Sequence, residues 1–380
     1  GTDTVVAADM TLSSISGFLA AQDPASSSEI YLYNGDGDVI ASSLEQSDRL
    51  AELPFPHLEL TATEQELVDS LPVLKISNEE DWAPFDYAQS GIPRGYSVDV
   101  MQMIAKMTGI RIEFVNGYSW QALVEQFQKG DIDILTSLIL TPQNQGLGLS
   151  GRSYASLPYA LVTQAGQSAL TDMEHLSSKK LAIPSGWSIS PIVQARFPDI
   201  EIVEANSTLH ALRMVNEGIV DAALDNEVIL RYIADHYFLE SLQFHSGISF
   251  GAEDVPHRLH LLVAGDRPQL RALLDRAIDA IGPEQQQFLR DYWLDSTVDH
   301  PAPVSRTVPS RAMITTAVDS RLHNTLVETQ YKGETYLLFA AVASKMQSTP
   351  LYVGILAPQA TVVGPMLDKV KLSIALTALL

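Results

Sequence analysis

Two carboxylates far apart in the chain, Glu79 and Asp225, are the residues that could divide acid from base work, although nothing in the sequence fixes their geometry. The stretch Ser185-Gly186-Trp187-Ser188-Ile189-Ser190 reads as a strand-to-helix turn. Gly186 there permits close backbone approach, Ser188 can cap, and the free N–H groups of a helix start suit a carboxylate. The other reading of the same stretch is a plain connection with a capping serine. The nine histidines form no metal-binding spacing. His257 and His260 are three apart, but the second falls in a strand-like run. Gly146-x-Gly148 lacks the helix and lysine of a phosphate loop. The absence of cysteine excludes disulfides, thiolate metal sites and a Cys nucleophile. No catalytic residue, metal or cofactor is expected.

Composition narrows the partners. With 24 Lys and Arg against 46 Asp and Glu, the formal net charge is −22. Such a surface repels phosphate backbones, so nucleic acid and anionic lipid are poor partners for the folded body. A chain of 380 residues, 46% hydrophobic, predicts at least two domains with real cores.

The elements that must carry these residues follow from periodicity. From Pro72 strands and helices alternate: strand 73–76, helix 98–107 ended by Gly109, strand 111–115, helix 120–128 ended by Gly130, strand 132–135. The rhythm resumes with strand 180–183, a helix from about Ser188, strand 200–203, helix 209–217, strand 220–224 and helix 228–235. Strand 260–263 and helices 269–280 and 283–293 close it. This predicts two α/β lobes with largely parallel sheets, the first resumed after the second.

The flanks read differently. A helix over 4–22 is broken at Asp23-Pro24, and strands 30–33 and 39–41 flank Asn34-Gly35-Asp36-Gly37, a hairpin signal. A short helix near 60–66 has Thr61 or Thr63 as its cap. A Pro-rich linker spans 297–312, then strands 326–331 and 335–342 flank Lys332-Gly333, with a further strand at 351–356. One hairpin alone is marginal in water, so the early and late strands are expected to complete one sheet around the inserted α/β region. No leader pattern opens the chain. The apolar run that follows Lys369 and Lys371 reads as the start of a transmembrane helix over 371–380, or else as a buried helix.

Several stretches, in order, carry a family resemblance. They are Leu71-Pro72-Val73-Leu74-Lys75, Trp82-Ala83-Pro84-Phe85, Gly95-Tyr96-Ser97-Val98-Asp99, Trp120 to Phe127 with Gly130-Asp131-Ile132-Asp133, Thr141-Pro142 with Ser153-Tyr154 and Leu157-Pro158, Gly218-Ile219-Val220-Asp221-Ala222, and Glu284 to Trp293. Together they make residues 60–296 resemble a family 3 periplasmic solute-binding domain, the Venus-flytrap kind fused to bacterial sensor proteins of the BvgS type. Residues 1–58 and 297–370 more loosely resemble a Cache-type, PAS-like extracytoplasmic sensor domain.

The resemblance implies an α/β two-lobed periplasmic-binding-protein fold of type II plus a discontinuous α+β domain. Lobe 1 would cover about 72–162 and 258–296, and lobe 2 about 163–257. It implies a ligand between the lobes, near Glu79, Trp82, Phe85, Trp120, Thr136, Ser137, Thr141, Asn144, Ser185, Gly186, Trp187, Ser188, Asp225 and Asn226. Core packing is an equal reading for Trp82 and Trp120. Amino-acid binders of this family carry an Arg shortly after the Thr-Pro segment and an acid after the second-lobe Asp-Ala. Here Asn144 and Asn226 stand at those places. Arg94 or Arg152 could substitute for the first, and Asp225, Glu227 or Glu79 for the second. The implied function is the periplasmic sensing part of an inner-membrane signalling receptor for a small-molecule ligand, tethered through flanking helices, with a homodimer possible. A transport binding protein is the main alternative and a dehydratase-like enzyme the third.

Overall fold

The computed structural model describes residues 12–21, 28–44, 56–89, 91–252, 254–295, 306–344 and 349–363. The chain divides into two compact units, one of 48–301 and one formed by 1–47 together with 302–380.

The second of these begins with helix α1 (Leu12–Ala21) and strands β1 (Glu29–Asn34) and β2 (Val39–Ser42). The Asn34 side chain shapes the hairpin: its Oδ1 accepts from the N–H groups of Asp36 (3.0 Å) and Asp38 (2.9 Å).

The 48–301 unit opens with α2 (Ala62–Ser70), where Thr61 and Glu64 form a reciprocal capping box. Strand β3 (Leu74–Glu79) enters the first lobe. A small sheet of β4 (Asp81–Trp82), β5 (Asp86–Gln89) and β6 (Ile92–Arg94) follows, which sequence periodicity did not predict. Next come α3 (Tyr96–Thr108), β7 (Ile112–Tyr118), α4 (Trp120–Lys129), β8 (Ile134–Ile139) and β9 (Leu149–Ser156). Gly109 and Gly130 end α3 and α4 in left-handed conformation, as read from the sequence. Gly95, which opens α3, is indispensable in another way: at φ 115°, a Cβ there would sit 2.4 Å from the Phe85 carbonyl oxygen.

The chain then crosses into the second lobe: β10 (Tyr159–Gln164), β11 (Lys180–Pro184), α5 (Ser190–Arg196), β12 (Glu201–Ala205), α6 (Thr208–Asn216), β13 (Ala222–Asn226), α7 (Glu227–His236) and β14 (Leu242–Ser246). It returns through β15 (Arg258–Val263), α8 (Pro268–Ala280) and α9 (Pro283–Trp293).

Each lobe has a five-stranded sheet, β7-β3-β8-β15-β9 in the first and β12-β11-β13-β10-β14 in the second. Both are mixed rather than largely parallel. In each sheet three strands pair in parallel and the two brought by the crossings between lobes join through antiparallel ladders, so that β15 in the first and β10 in the second run against the rest. The first crossing is at Leu157-Pro158, earlier than expected, because β10 already belongs to the second sheet. The two crossings touch where the Leu157 N–H donates to the His257 carbonyl at 2.9 Å.

The Gly-x-x-Asp segments of both lobes do one structural job. Asp133 accepts from the Lys75 N–H (2.7 Å) and pairs with Arg267 (2.6 Å); Asp221 accepts from the Lys180 N–H (2.9 Å). Each carboxylate thereby fastens one parallel strand to its neighbour.

The discontinuous unit is completed by α10 (Arg311–Val318), β16 (Leu326–Tyr331), β17 (Glu334–Ser344) and β18 (Leu351–Pro358). One antiparallel sheet runs β16-β17-β18-β1-β2, joining strands from both ends of the sequence. Side chains alternate along β1. Tyr31 and Tyr33 pack with Met313 and Ala317 of α10, while Ile30 packs with Leu19 of α1. The expected linker over 297–312 is too long. Val308 is core, Val39 N–H donates to the Arg306 carbonyl at 2.7 Å, and α10 starts at Arg311. The predicted helix over 4–22 is described only from Leu12 to Ala21, and the predicted span over 371–380 lies outside the described residues. Among the described residues, no helix is long and apolar enough to cross a membrane.

Candidate functional site

A cavity of about 460 Å³ lies between the two lobes of the 48–301 unit. From the first lobe come Glu79 at the end of β3, Trp82 of β4, Trp120 of α4, Ser137 of β8, and Thr141 and Asn144 beyond it. The second lobe supplies Gly186, Trp187 and Ser188 from the turn after β11. An adjoining recess of about 320 Å³ shares Glu79, Trp82, Trp120 and Trp187 and adds Ser185. The lobes meet over this space: Trp82 and Trp187 stand edge to face with centroids 5.0 Å apart.

Ten of the fourteen residues picked from the sequence therefore surround the cleft. Phe85, Thr136, Asp225 and Asn226 do not line it, and each has a physical reason. Phe85 is fully buried, stacked on Tyr96 at 5.3 Å and edge-on to Trp82 at 5.2 Å. Thr136 is buried in a hydroxyl network, donating to Asp86 Oδ2 at 2.9 Å and meeting the Ser77 hydroxyl at 3.1 Å. Asn226 is buried, and its side-chain amide donates to the Leu157 carbonyl, tying β13 to the first crossing. Asp225 accepts from the Thr208 hydroxyl and, at 2.6 Å, from the Asn226 N–H.

Two roles change. Asn144 faces the cleft, but its amide closes its own loop: Oδ1 accepts from the Thr141 N–H and Nδ2 donates to the Ile139 carbonyl, both at 2.8 Å. Ser188 does not cap α5, whose N-cap is Ile189 without a side-chain bond. Gly186 adopts a positive φ, 81°, beside Gln121 of the opposite lobe.

Neither proposed substitute for the missing arginine reaches the cleft. Arg152 pairs with Asp279 at 3.0 Å on an exposed face, and Arg94 is not among the lining residues. The two histidines are also occupied elsewhere: the Nδ1 atoms of His257 and His260 lie 3.0 and 2.9 Å from the carbonyls of Val255 and Gly151. No three His, Asp or Glu side chains among the described residues are grouped to hold a metal ion.

The electrostatics centre on acids. Glu79, only 5% exposed, lies among Asp86, Asp81, Asp225 and Glu80, and burial first, then these neighbours, raise its pKa well above the usual carboxylate range. Asp225 is pushed up to about 7 by burial, against the hydrogen bonds from Thr208 and Asn226 and the nearby Trp82 indole. That indole N–H makes no hydrogen bond of good geometry, yet it still favours the ionised Asp225. Asp86 is raised by burial even though it accepts from Asn78 (2.7 Å), Ser137 (2.5 Å), Thr136 and the Glu79 N–H (3.2 Å). It staples β3, β5 and β8 together beneath the cleft.

Sequence reasoning missed Asp86, along with the lining residues Gln121, Glu125 and Glu204. The Pro84-Phe85-Asp86 run was the one local signal for the first. Glu204 lies on edge strand β12, where a charged side chain reads as solvated surface.

Two mixed α/β lobes joined by paired crossings around an interlobe cavity define a solute-binding, Venus-flytrap class of protein. The chain belongs to the bacterial extracellular solute-binding proteins, family 3, which match it over residues 74–296. It is similar to the virulence sensor protein BvgS of Bordetella pertussis, 23% identical over 248 residues that make 65% of this chain and 20% of that one. It is also similar to the sensor protein EvgS of Escherichia coli strain K12, 25% identical over 241 residues, 62% of this chain and 19% of the other. The chain thus spans about a fifth of these relatives. The crystal structure of the periplasmic VFT2 domain of B. pertussis BvgS superimposes with a TM-score of 0.56 at 23% identity, covering 62% of this chain and all of that domain.

Proposed function

We propose that this chain is the extracytoplasmic sensing region of a bacterial membrane signalling receptor. A small solute binds between the lobes, shifts their open–closed equilibrium, and the shift passes to an output domain across the membrane. The observation that carries this reading is the sheet β16-β17-β18-β1-β2. The flytrap is inserted into a second domain built from both chain ends, an arrangement a free carrier does not need. We read that domain as the Cache-type, PAS-like module of the receptor, tethered to the membrane by the helices that flank it, with a homodimer as the natural signalling unit. The resemblance to two sensor proteins supports the reading.

The site is a binder rather than a catalyst. Glu79 faces the cavity, but the oxygens of Asp225 accept from Thr208 and Asn226 at 1% exposure, so the two carboxyls do not converge on a substrate.

Fractionation of the source cells tests the assignment. An antibody against this chain is expected to detect a membrane-bound protein larger than its 41.5 kDa. A freely released species of about that size, dependent on a permease for its effect, would instead establish the transport alternative.

A further inference from the structure

We propose that the solute held in this cleft is an organic cation without a carboxylate, an amine or quaternary ammonium with a small apolar body. The proposal rests on the cleft reading above and names the ligand class it takes.

The lining of the cavity contains three carboxylates, Glu79, Glu125 and Glu204, and no Lys, Arg or His. The adjoining recess adds Glu80 and Asp81 and again no basic residue. An anionic solute would enter a field of one sign with nothing to pair it. A zwitterionic amino acid would find a partner for its ammonium but none for its carboxylate, because the Asn144 amide is committed to its own loop.

Glu79 makes the positive case. Its side chain is 95% removed from solvent and faces both cavities, and no hydrogen bond reaches its carboxylate among the described residues. A buried carboxylate without a partner is costly, and a cation brought beside it removes that cost.

The walls suit the same guest. Trp82, Trp120 and Trp187 all line the cavity, the rings of Trp82 and Trp187 inclined at 62° to each other, and tryptophan faces attract organic cations. Leu138, Ile139 and Leu147 supply apolar lining, which favours an alkyl or aryl body over a hydrated metal ion.

The test uses the 380-residue chain with choline, phenethylamine and agmatine as cations, glutamine and arginine as amino acids, and succinate and benzoate as anions. Thermal shift screens the panel and calorimetry measures the dissociation constants. At least one cation is expected to stabilise the protein while the amino acids and anions do not. Glu79→Gln should weaken that cation at least tenfold, since hydrogen bonds to charged groups contribute roughly ten- to a hundredfold. Trp187→Ala, in a partly exposed side chain, should weaken it about fivefold or more. Circular dichroism confirms that both variants fold.

Binding of glutamine or succinate without any response to cations would overturn the cation assignment and leave the cleft reading intact. A cation that binds both variants with wild-type affinity sits elsewhere, which also overturns the assignment. Silence across all three arms would remove both.

Discussion

Replacing Asp225 by Asn should stabilise the protein at pH 8 and not at pH 4. Asp225 is 1% exposed, and its pKa stands at about 7 against an ordinary 3.8. The folded state therefore holds a proton that the unfolded chain has released. Between those two values the native state binds more protons, so this group's contribution to stability is full below pH 3.8 and is lost as pH rises through 7. At 1.36 kcal/mol per pKa unit, the loss is about 4 kcal/mol. Asparagine keeps the size and one acceptor oxygen but cannot ionise. The Thr208 hydroxyl, now a donor to Asp225, would face the new amide and accept from it. Disturbing that bond costs about 1 kcal/mol at all pH values. The variant should therefore be about 1 kcal/mol less stable than wild type at pH 4 and about 3 kcal/mol more stable at pH 8. Taking the difference between the two proteins cancels titrations that do not involve Asp225, such as those of Glu64 and Asp319, whose partners hold them at about 2. Urea unfolding followed by tryptophan emission is the assay, and it reports on one unit only. Trp82, Trp120, Trp187 and Trp293 all lie within residues 48–301. A difference that stays flat to within 1 kcal/mol from pH 4 to 8 would refute the reasoning.

Other outcomes follow from the same geometry. Trp82→Ala should cost about 3–5 kcal/mol in urea unfolding, because a side chain 2% exposed and packed on Phe85 and Trp187 leaves a cavity. Its loss is thus a structural and a binding defect at once, whereas an unchanged midpoint would show the indole to be a wall alone. Gly95→Ala should destabilise by several kcal/mol or prevent folding, since the added methyl meets the Phe85 carbonyl and φ is 115°. Soluble protein with wild-type unfolding would contradict that contact. Burial first, then Asp86, Asp81, Asp225 and Glu80, raises the pKa of Glu79, and a cationic probe beside it should lower that pKa and so release protons on binding. Affinity should then rise with pH, and calorimetry in buffers of different ionisation enthalpy should register proton release. Uptake, or no dependence on buffer, would contradict the linkage.

Beyond the two-lobed class and the sheet shared by the early and late strands, what the sequence made legible was local. Gly109 and Gly130 stop their helices where the periodicity ends, Asn34 and Lys332-Gly333 set hairpins, and Thr61 with Glu64 caps a helix. The pieces that escaped are those whose reasons are distant. Strand β9, Leu-Ser-Gly-Arg-Ser-Tyr-Ala-Ser, has no strong alternation and exists because β15 offers it a ladder. Helix α10 follows a Pro-rich run and earns its face only against the tyrosines of β1. In the site, turn chemistry around Gly186 was readable, but a lining acid such as Glu204 becomes cleft only when the second lobe meets the first. The sequence offered Asn144 where the family resemblance implies an arginine. That its amide would be spent on Ile139 and Thr141 was not legible there.

Closure of the lobes on a solute is measured most directly as a distance. The chain has no cysteine, so a pair introduced at exposed positions, Lys129→Cys in the first lobe and Glu201→Cys in the second, can carry spin labels without competition. Electron–electron resonance should show a broad or longer distribution without solute, and a single shorter distance with a bound probe from the panel. An identical distribution with the probe demonstrably bound would contradict a flytrap that signals by closing.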